Sequence, residues 1–149
     1  MKSGEVQLET TIGQLQIDLH PDLFPNSTKL FLQQIILSNF TNSSIAHLIP
    51  GFLLKLSPIP IQDDALRLKI LTEVSNNESL KNASKFYSQT GVVGLKLSKD
   101  EKYVEYCITF GPADALVSKY LVVGVVNFFF FSFFFFPKCI DTFFFFFSF

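Results

Sequence analysis

Two stretches near the start of the chain, Val6-Gln7-Leu8-Glu9-Thr10 and Leu15-Gln16-Ile17-Asp18-Leu19, alternate apolar and polar residues with the two-residue period of half-buried strands. Gly13 lies in the short link between them, so the pair predicts a β-hairpin. Pro21 and Pro25 end the second strand. Asn26, Ser27 or Thr28 then offers a cap for a helix whose apolar positions Leu30, Phe31, Ile35 and Leu37 follow helical spacing, with an end near Asn39. Residues 44–49 and 52–56 predict two more strands joined by Pro50-Gly51, a dipeptide that favours a tight turn. Residues 57–90 read as a long, partly ordered connection, helical only around 65–74. Strand character returns over 92–97, 103–109 and 121–126, with 98–102 as a polar turn and Gly111-Pro112 as a break.

The order of elements is a hairpin, a helix, then more strands. Such a chain closes a mostly antiparallel sheet into a barrel with a helix over one end; the pattern alone also permits an open α+β sheet. The 149 residues fit one domain with one core. The tail stands apart, because fourteen of the twenty phenylalanines lie between Phe128 and Phe149. The domain therefore spans 1–127 and a low-complexity, Phe-rich tail spans 128–149.

Charge narrows the partners. Twelve basic and thirteen acidic residues are interspersed, with a net charge of −1 and no run of Lys or Arg, which argues against nucleic acid. Cys107 and Cys139 have no CxxC neighbour, so they read as free thiols in a reducing compartment, with neither a disulfide framework nor a metal site. No cofactor is implied. Asp63-Asp64 reads as a solvated loop charge. The opening MKSGEVQLETTIG has no apolar stretch long enough for a signal peptide, so the expected location is cytoplasmic or nuclear. Residues 121–136 are interrupted only by Asn127 and Ser132. These sixteen residues fall short of the roughly 20 that a spanning helix needs, so a membrane partner arises only if the Phe-rich tail is genuine. A thymine-rich noncoding stretch, once translated, yields the same Phe and Ser composition, and the tail reads as that.

Four stretches, in order, resemble the cyclophilins, peptidyl-prolyl isomerases built on an eight-stranded barrel capped by two helices. Val6-Gln7-Leu8-Glu9-Thr10-Thr11-Ile12-Gly13 and Ile17-Asp18-Leu19-His20-Pro21 are similar to the family's V-x-L-E-T-T-x-G and I-x-L-x-P. Pro50-Gly51-Phe52 matches the end of F-H-R-x-I-x-G-F, and Thr90-Gly91 resembles H-T-G. Glu105-Tyr106-Cys107-Ile108-Thr109 is similar to Q-F-F-I-T, followed by Leu116, Lys119 and Gly124 at the spacing of W-L-D-G-K-x-x-V-F-G. The resemblance covers residues 6–126 and implies a mainly β, cyclophilin-like antiparallel barrel with one capping helix. The last helix and closing strand are missing, because the chain runs from Val126 into the Phe-rich tail.

The resemblance also implies a site. The family's strand arginine, which hydrogen-bonds the prolyl nitrogen and weakens the amide resonance, aligns with His47. His47 is then the catalytic position, with a weaker donor than the permanently charged guanidinium. The substrate-binding positions become Phe52, Lys55, Glu105, Cys107, Leu116 and Tyr120. Cys107 replaces a phenylalanine that walls the proline pocket, Ala115 replaces the tryptophan, and Phe52 is kept. Cys107 and His47 are expected as neighbours, but a nucleophile-and-base reading is set aside because nothing else builds an oxyanion site. His20 is read as solvent-facing. The expectation is a monomeric, degenerate cyclophilin-like domain that binds proline-containing peptides or a protein partner with little or no isomerase activity. The alternatives are a weakly active peptidyl-prolyl isomerase and a tail-anchored membrane protein.

Overall fold

The computed structural model of the chain describes residues 4–10, 13–41, 43–127 and 146–148. Strands β1 (Gly4–Thr10) and β2 (Gly13–Leu19) form the predicted hairpin in the register Val6↔Ile17 and Leu8↔Leu15. Alternation sends Val6, Leu8, Leu15, Ile17 and Leu19 to one buried face. The turn at Pro50-Gly51, with Gly51 at φ +73°, pairs β3 (Ile45–Ile49) with β4 (Leu53–Leu56). A short β5 (Ile59–Pro60) joins β7 (Tyr103–Thr109), which pairs with β6 (Val92–Leu97); β8 (Leu121–Val126) lies between β6 and β2.

Among the described residues the strands form one antiparallel sheet in the order β3-β4-β7-β6-β8-β2-β1-β9, where β9 (Phe146–Ser148) adds to the free edge of β1. No hydrogen-bonded pair among the described residues joins β9 to β3, so the barrel is not closed by hydrogen bonds. The expected absence of a final helix concerns 128–145, outside the described residues, as does the tail apart from 146–148. Of the apolar run 121–136 behind the tail-anchor alternative, 121–126 is strand β8 and 128–136 lies outside the described residues. Among the described residues no helix is long and apolar enough to cross a membrane.

Helix α1 (Pro25–Ile36) covers one end of the barrel and buries Leu30, Phe31, Gln34 and Ile35. Phe31, Phe40 and Tyr106 pack ring against ring at 5.0–5.8 Å between centroids, and the Tyr106 hydroxyl donates to Gln34 Oε1. Capping differs from expectation. Pro25 sits in the first turn, the N-cap position is Phe24, and no side chain caps the helix. Asn26, Ser27 and Thr28 lie inside it instead: Ser27 Oγ donates to the Val122 carbonyl at 2.5 Å and Asn26 Nδ2 to Glu73 Oε2 at 2.6 Å. The helix stops at Ile36, before Asn39, because Ser38 takes a positive φ of 58°.

The larger departure is at 57–90, where the helix expected around 65–74 is present but a second helix follows in place of a partly ordered connection. Helix α2 (Asp64–Val74) is capped by Asp63, whose Oδ1 accepts from the Leu66 N–H at 3.0 Å, so Asp63 is a cap and not a loop charge. Helix α3 (Asn77–Tyr87) is capped by Asn76, whose Oδ1 accepts from the Glu78 N–H at 2.9 Å. Leu66 and Ile70 of α2 reach the barrel core. By contrast, α3 buries Ser79, Ala83 and Tyr87, and its Ala83 and Tyr87 belong to a second apolar cluster outside the barrel.

Close backbone approach fixes the seam between β8 and β2. A methyl group at Gly124 would run into the Asp18 carbonyl oxygen across the strand pair. Gly124→Ala is therefore expected to destabilise the fold by about 1–3 kcal/mol, read as a lower urea midpoint with an unchanged slope.

Candidate functional site

Strand pairing assembles the expected site on the outer face of the sheet. The register His47↔Lys55, Lys55↔Cys107, Gly94↔Cys107 and Gly94↔Val122 lays one row across five strands. The next row holds Lys96↔Glu105. His47 is exposed and Lys55 half-buried. Lys96 Nζ pairs with Glu105 Oε2 at 3.4 Å and sits 5.2 Å from the centroid of the Tyr120 ring. Lys96 is thus part of this face.

Further along the face the residues are buried. Cys107 is 0% exposed, Tyr120 3% and Leu116 7%, packed with Leu53, Val92, Ala113 and Val122 in the outer cluster. Phe52 is half-buried against the same cluster. A single 3-10 turn, Asp114–Leu116, carries Leu116 into place, and Tyr120 N–H donates to the Leu116 carbonyl at 2.9 Å. The structure therefore brings Phe52, Cys107, Leu116 and Tyr120 together, with Lys55 and Glu105 on the rim.

His47 and Cys107 are not the neighbours the sequence led us to expect. Strand β4 runs between them, and two interstrand spacings amount to roughly 10 Å, far beyond a hydrogen bond. Burial pushes the Cys107 thiol up to about 12, against smaller lowering effects from the Gly94 N–H and the Lys55 and Lys96 charges. A buried neutral thiol with no adjacent base is not a nucleophile. His20 also differs from expectation: it is half-buried, with its ring 5.0 Å from that of Phe86 on α3.

The residue that the sequence reading missed is Tyr87, at the end of α3. It is 0% exposed, and its carbonyl accepts from the Ala113 N–H at 2.8 Å. Its hydroxyl reaches Gly94, where a side-chain carbon would collide with it; that position is also 3.2 Å from Cys107 Sγ and 3.3 Å from Tyr120 Cβ. Neither the Tyr87 nor the Tyr120 hydroxyl has a hydrogen-bond partner among the described residues. Burial, then the neighbouring Cys107 and Tyr120, raises the Tyr87 phenol well above its usual range; burial, then Cys107 and Glu105, raises that of Tyr120. The aromatic pair Phe86-Tyr87, just before Thr90-Gly91 in an otherwise polar stretch, was the available signal.

Clefts of about 570 and 720 Å³ lie elsewhere: the smaller involves Asn26, Leu68, Glu73 and Ser79, the larger Pro21, Lys29, Leu32 and Ile36. Neither includes a residue of the outer row. Among the described residues no cluster of three or more His, Cys, Asp and Glu could hold a metal ion.

The family model for the cyclophilin type peptidyl-prolyl cis-trans isomerase/CLD matches residues 5–131. A cyclophilin type peptidyl-prolyl cis-trans isomerase from Cryptosporidium parvum superposes with a TM-score of 0.71 at 18% identity, covering 96% of this chain and 94% of that one. The same Cryptosporidium protein, crystallised in the presence of the dipeptide Ala-Pro, gives 0.66 at 17% identity, covering 93% and 85%. A cyclophilin from Hirschia baltica gives 0.56 at 16% identity, covering 84% and 65%. No curated protein matches the chain.

The buried thiol sets a pH dependence. An unfolded thiol ionises near its ordinary 9.0, whereas Cys107 in the fold holds its proton to about 12. Between those values the unfolded chain has released a proton that the folded chain retains, so its stabilising effect is complete below pH 9 and is lost as pH rises toward 12. Stability should fall by up to about 1.4 kcal/mol per pH unit across that window. Urea midpoints at about pH 8 and about pH 10.5, with carbamidomethylation of the Cys107 peptide followed by mass spectrometry, check this. The native chain should resist labelling at about pH 8 and lose stability by about pH 10.5.

Proposed function

The chain belongs to the cyclophilin-type peptidyl-prolyl cis-trans isomerase family, and from that premise we propose that this domain binds proline-containing peptides or a protein partner with little or no isomerase activity. The observation that carries the reading is the contrast along one face, where His47, Lys55 and the Lys96–Glu105 pair form an accessible rim while Cys107, Leu116 and Tyr120 are sealed.

Rotation about an X-Pro bond has an intrinsic barrier of roughly 18–20 kcal/mol, which an isomerase lowers by stabilising the twisted amide. His47 offers at most a weaker, titratable donor where the resemblance implies a guanidinium. The wall that would orient the proline ring is unavailable while buried, so positioning is lost along with the donor. The rim still presents donors, acceptors and both charges to an extended peptide. We assign this role to a domain of 1–127 acting as a monomer, in a reducing cytoplasmic or nuclear setting that suits the free buried Cys107. Nucleic acid is not a partner in this reading, because the rim mixes Lys55 and Lys96 with Glu105. A weakly active isomerase is the second reading, favoured by the exposed His47 and the retained, half-buried Phe52.

An isomerisation assay on an X-Pro peptide, run with the full chain and with His47→Arg, decides between the two. Rates for both within about twofold of the uncatalysed rate are expected, together with peptide-induced shifts of the His47 and Lys55 backbone amides. Acceleration of about tenfold or more by the unaltered chain would overturn the binding-module reading and establish the second.

A further inference from the structure

We infer that Tyr87 is this chain's own occupant of the slot that a proline ring would enter, and that it determines ligand access to the site. The inference rests on the reading above that the outer face is the ligand-binding face.

Three observations converge. The wall position holds the small Cys107, yet it is fully buried, and a fully buried ring that reaches the strand position beside it comes from α3 rather than from the sheet. The strand position beneath the ring is Gly94, where a side chain would collide with the Tyr87 hydroxyl. Mid-strand glycine weakens a sheet and marks close approach by another group, and here the approaching group is Tyr87. Finally, the slot is not a purely apolar core. It encloses two phenol hydroxyls without hydrogen-bond partners among the described residues, a costly arrangement for a site whose only task is packing.

The ring is also placed where it can be moved. It stands on the last residue of α3, an 11-residue helix whose other contribution to the outer cluster is Ala83, with Phe86 packed alongside. Four residues later Gly91 adopts φ +85°, a conformation that strains other residues. The bond from the Ala113 N–H to the Tyr87 carbonyl ties this end of α3 to the segment carrying Leu116. Withdrawal of the Tyr87 ring would uncover the side of Cys107 and Tyr120 that it now packs against. The ligand class is a peptide with an X-Pro unit, whose pyrrolidine ring replaces the phenol ring.

The test is a backbone-amide NMR titration of the full chain with an Ala-Pro-containing tetrapeptide, comparing the parent with Tyr87→Ala, Tyr87→Leu and Tyr87→Phe, each first checked for folding by circular dichroism. Tyr87→Ala should bind at least about tenfold more tightly than the parent, with shifts at Leu53, Gly94 and Leu116. Tyr87→Leu should fall between them and supplies the comparison if the alanine variant does not fold. Tyr87→Phe should bind like the parent. A folded Ala or Leu variant with parental affinity, or with shifts confined to His47 and Lys55, would overturn the inference. Uptake of p-cresol by Tyr87→Ala, seen as a raised melting temperature without peptide binding, would also overturn it, since the slot would then be a phenol cavity only. Isomerase activity in the parent would remove the proposed function while leaving this affinity comparison to decide the role of Tyr87.

Discussion

The absence of a side chain at Gly94 is the constraint on which the outer face depends. It lets the Tyr87 hydroxyl come up against β6 beside Cys107, and so lets α3 seat its last turn on the sheet. From that seat follow the Ala113–Tyr87 backbone bond, the position of the turn carrying Leu116, and the burial of Tyr120. The barrel interior is separate in its logic. There Leu8, Ile17, Leu54, Leu95 and Tyr106 pack beneath α1 in a core built by strand alternation.

Much of that interior was legible in the sequence. The strands over 92–97, 103–109 and 121–126 are found at the expected bounds, because alternating or continuous apolar runs flanked by turn residues leave little freedom. The shared face of the candidate residues was also legible from the resemblance, since the Pro50-Gly51 turn and the register it sets put Lys55 opposite both His47 and Cys107. What was not read was the covering. Leu80, Ala83, Phe86 and Tyr87 of α3 follow helical spacing along one side of the helix, but the stripe is short, set among Asn, Lys and Ser, and shares its buried side with the polar Ser79. Its cap, Asn76, lies within Ser75-Asn76-Asn77-Glu78-Ser79, which has the composition of a loop. With α3 missed, the burial of Cys107 and the role of Tyr87 were out of reach. The expected adjacency of His47 and Cys107 failed for a simpler reason, the intervening strand β4.

On the reading that this face binds a ligand, it offers that ligand two environments. On the rim, Lys96 and Glu105 keep about a third of their side-chain surface in solvent, at 34% and 29%, and form the kind of partly screened pair that contributes little to stability and remains open to exchange. Past the rim, the Cys107 thiol and the Tyr87 and Tyr120 phenols are all held neutral by desolvation. Such an interior disfavours charge, and with the Tyr87 ring displaced it leaves the Tyr120 hydroxyl for a bound carbonyl to pair with. Selectivity would then come from what displaces a phenol ring, with the rim setting encounter and orientation.

The most direct measurement is a nuclear Overhauser spectrum of the full chain carrying ring-labelled tyrosine. Cross-peaks from the Tyr87 ring to Gly94 Hα and Cys107 Hβ are predicted, because that ring lies in the slot in the free protein. A Tyr87 ring with contacts only to α3, beside an accessible Cys107, would contradict the account.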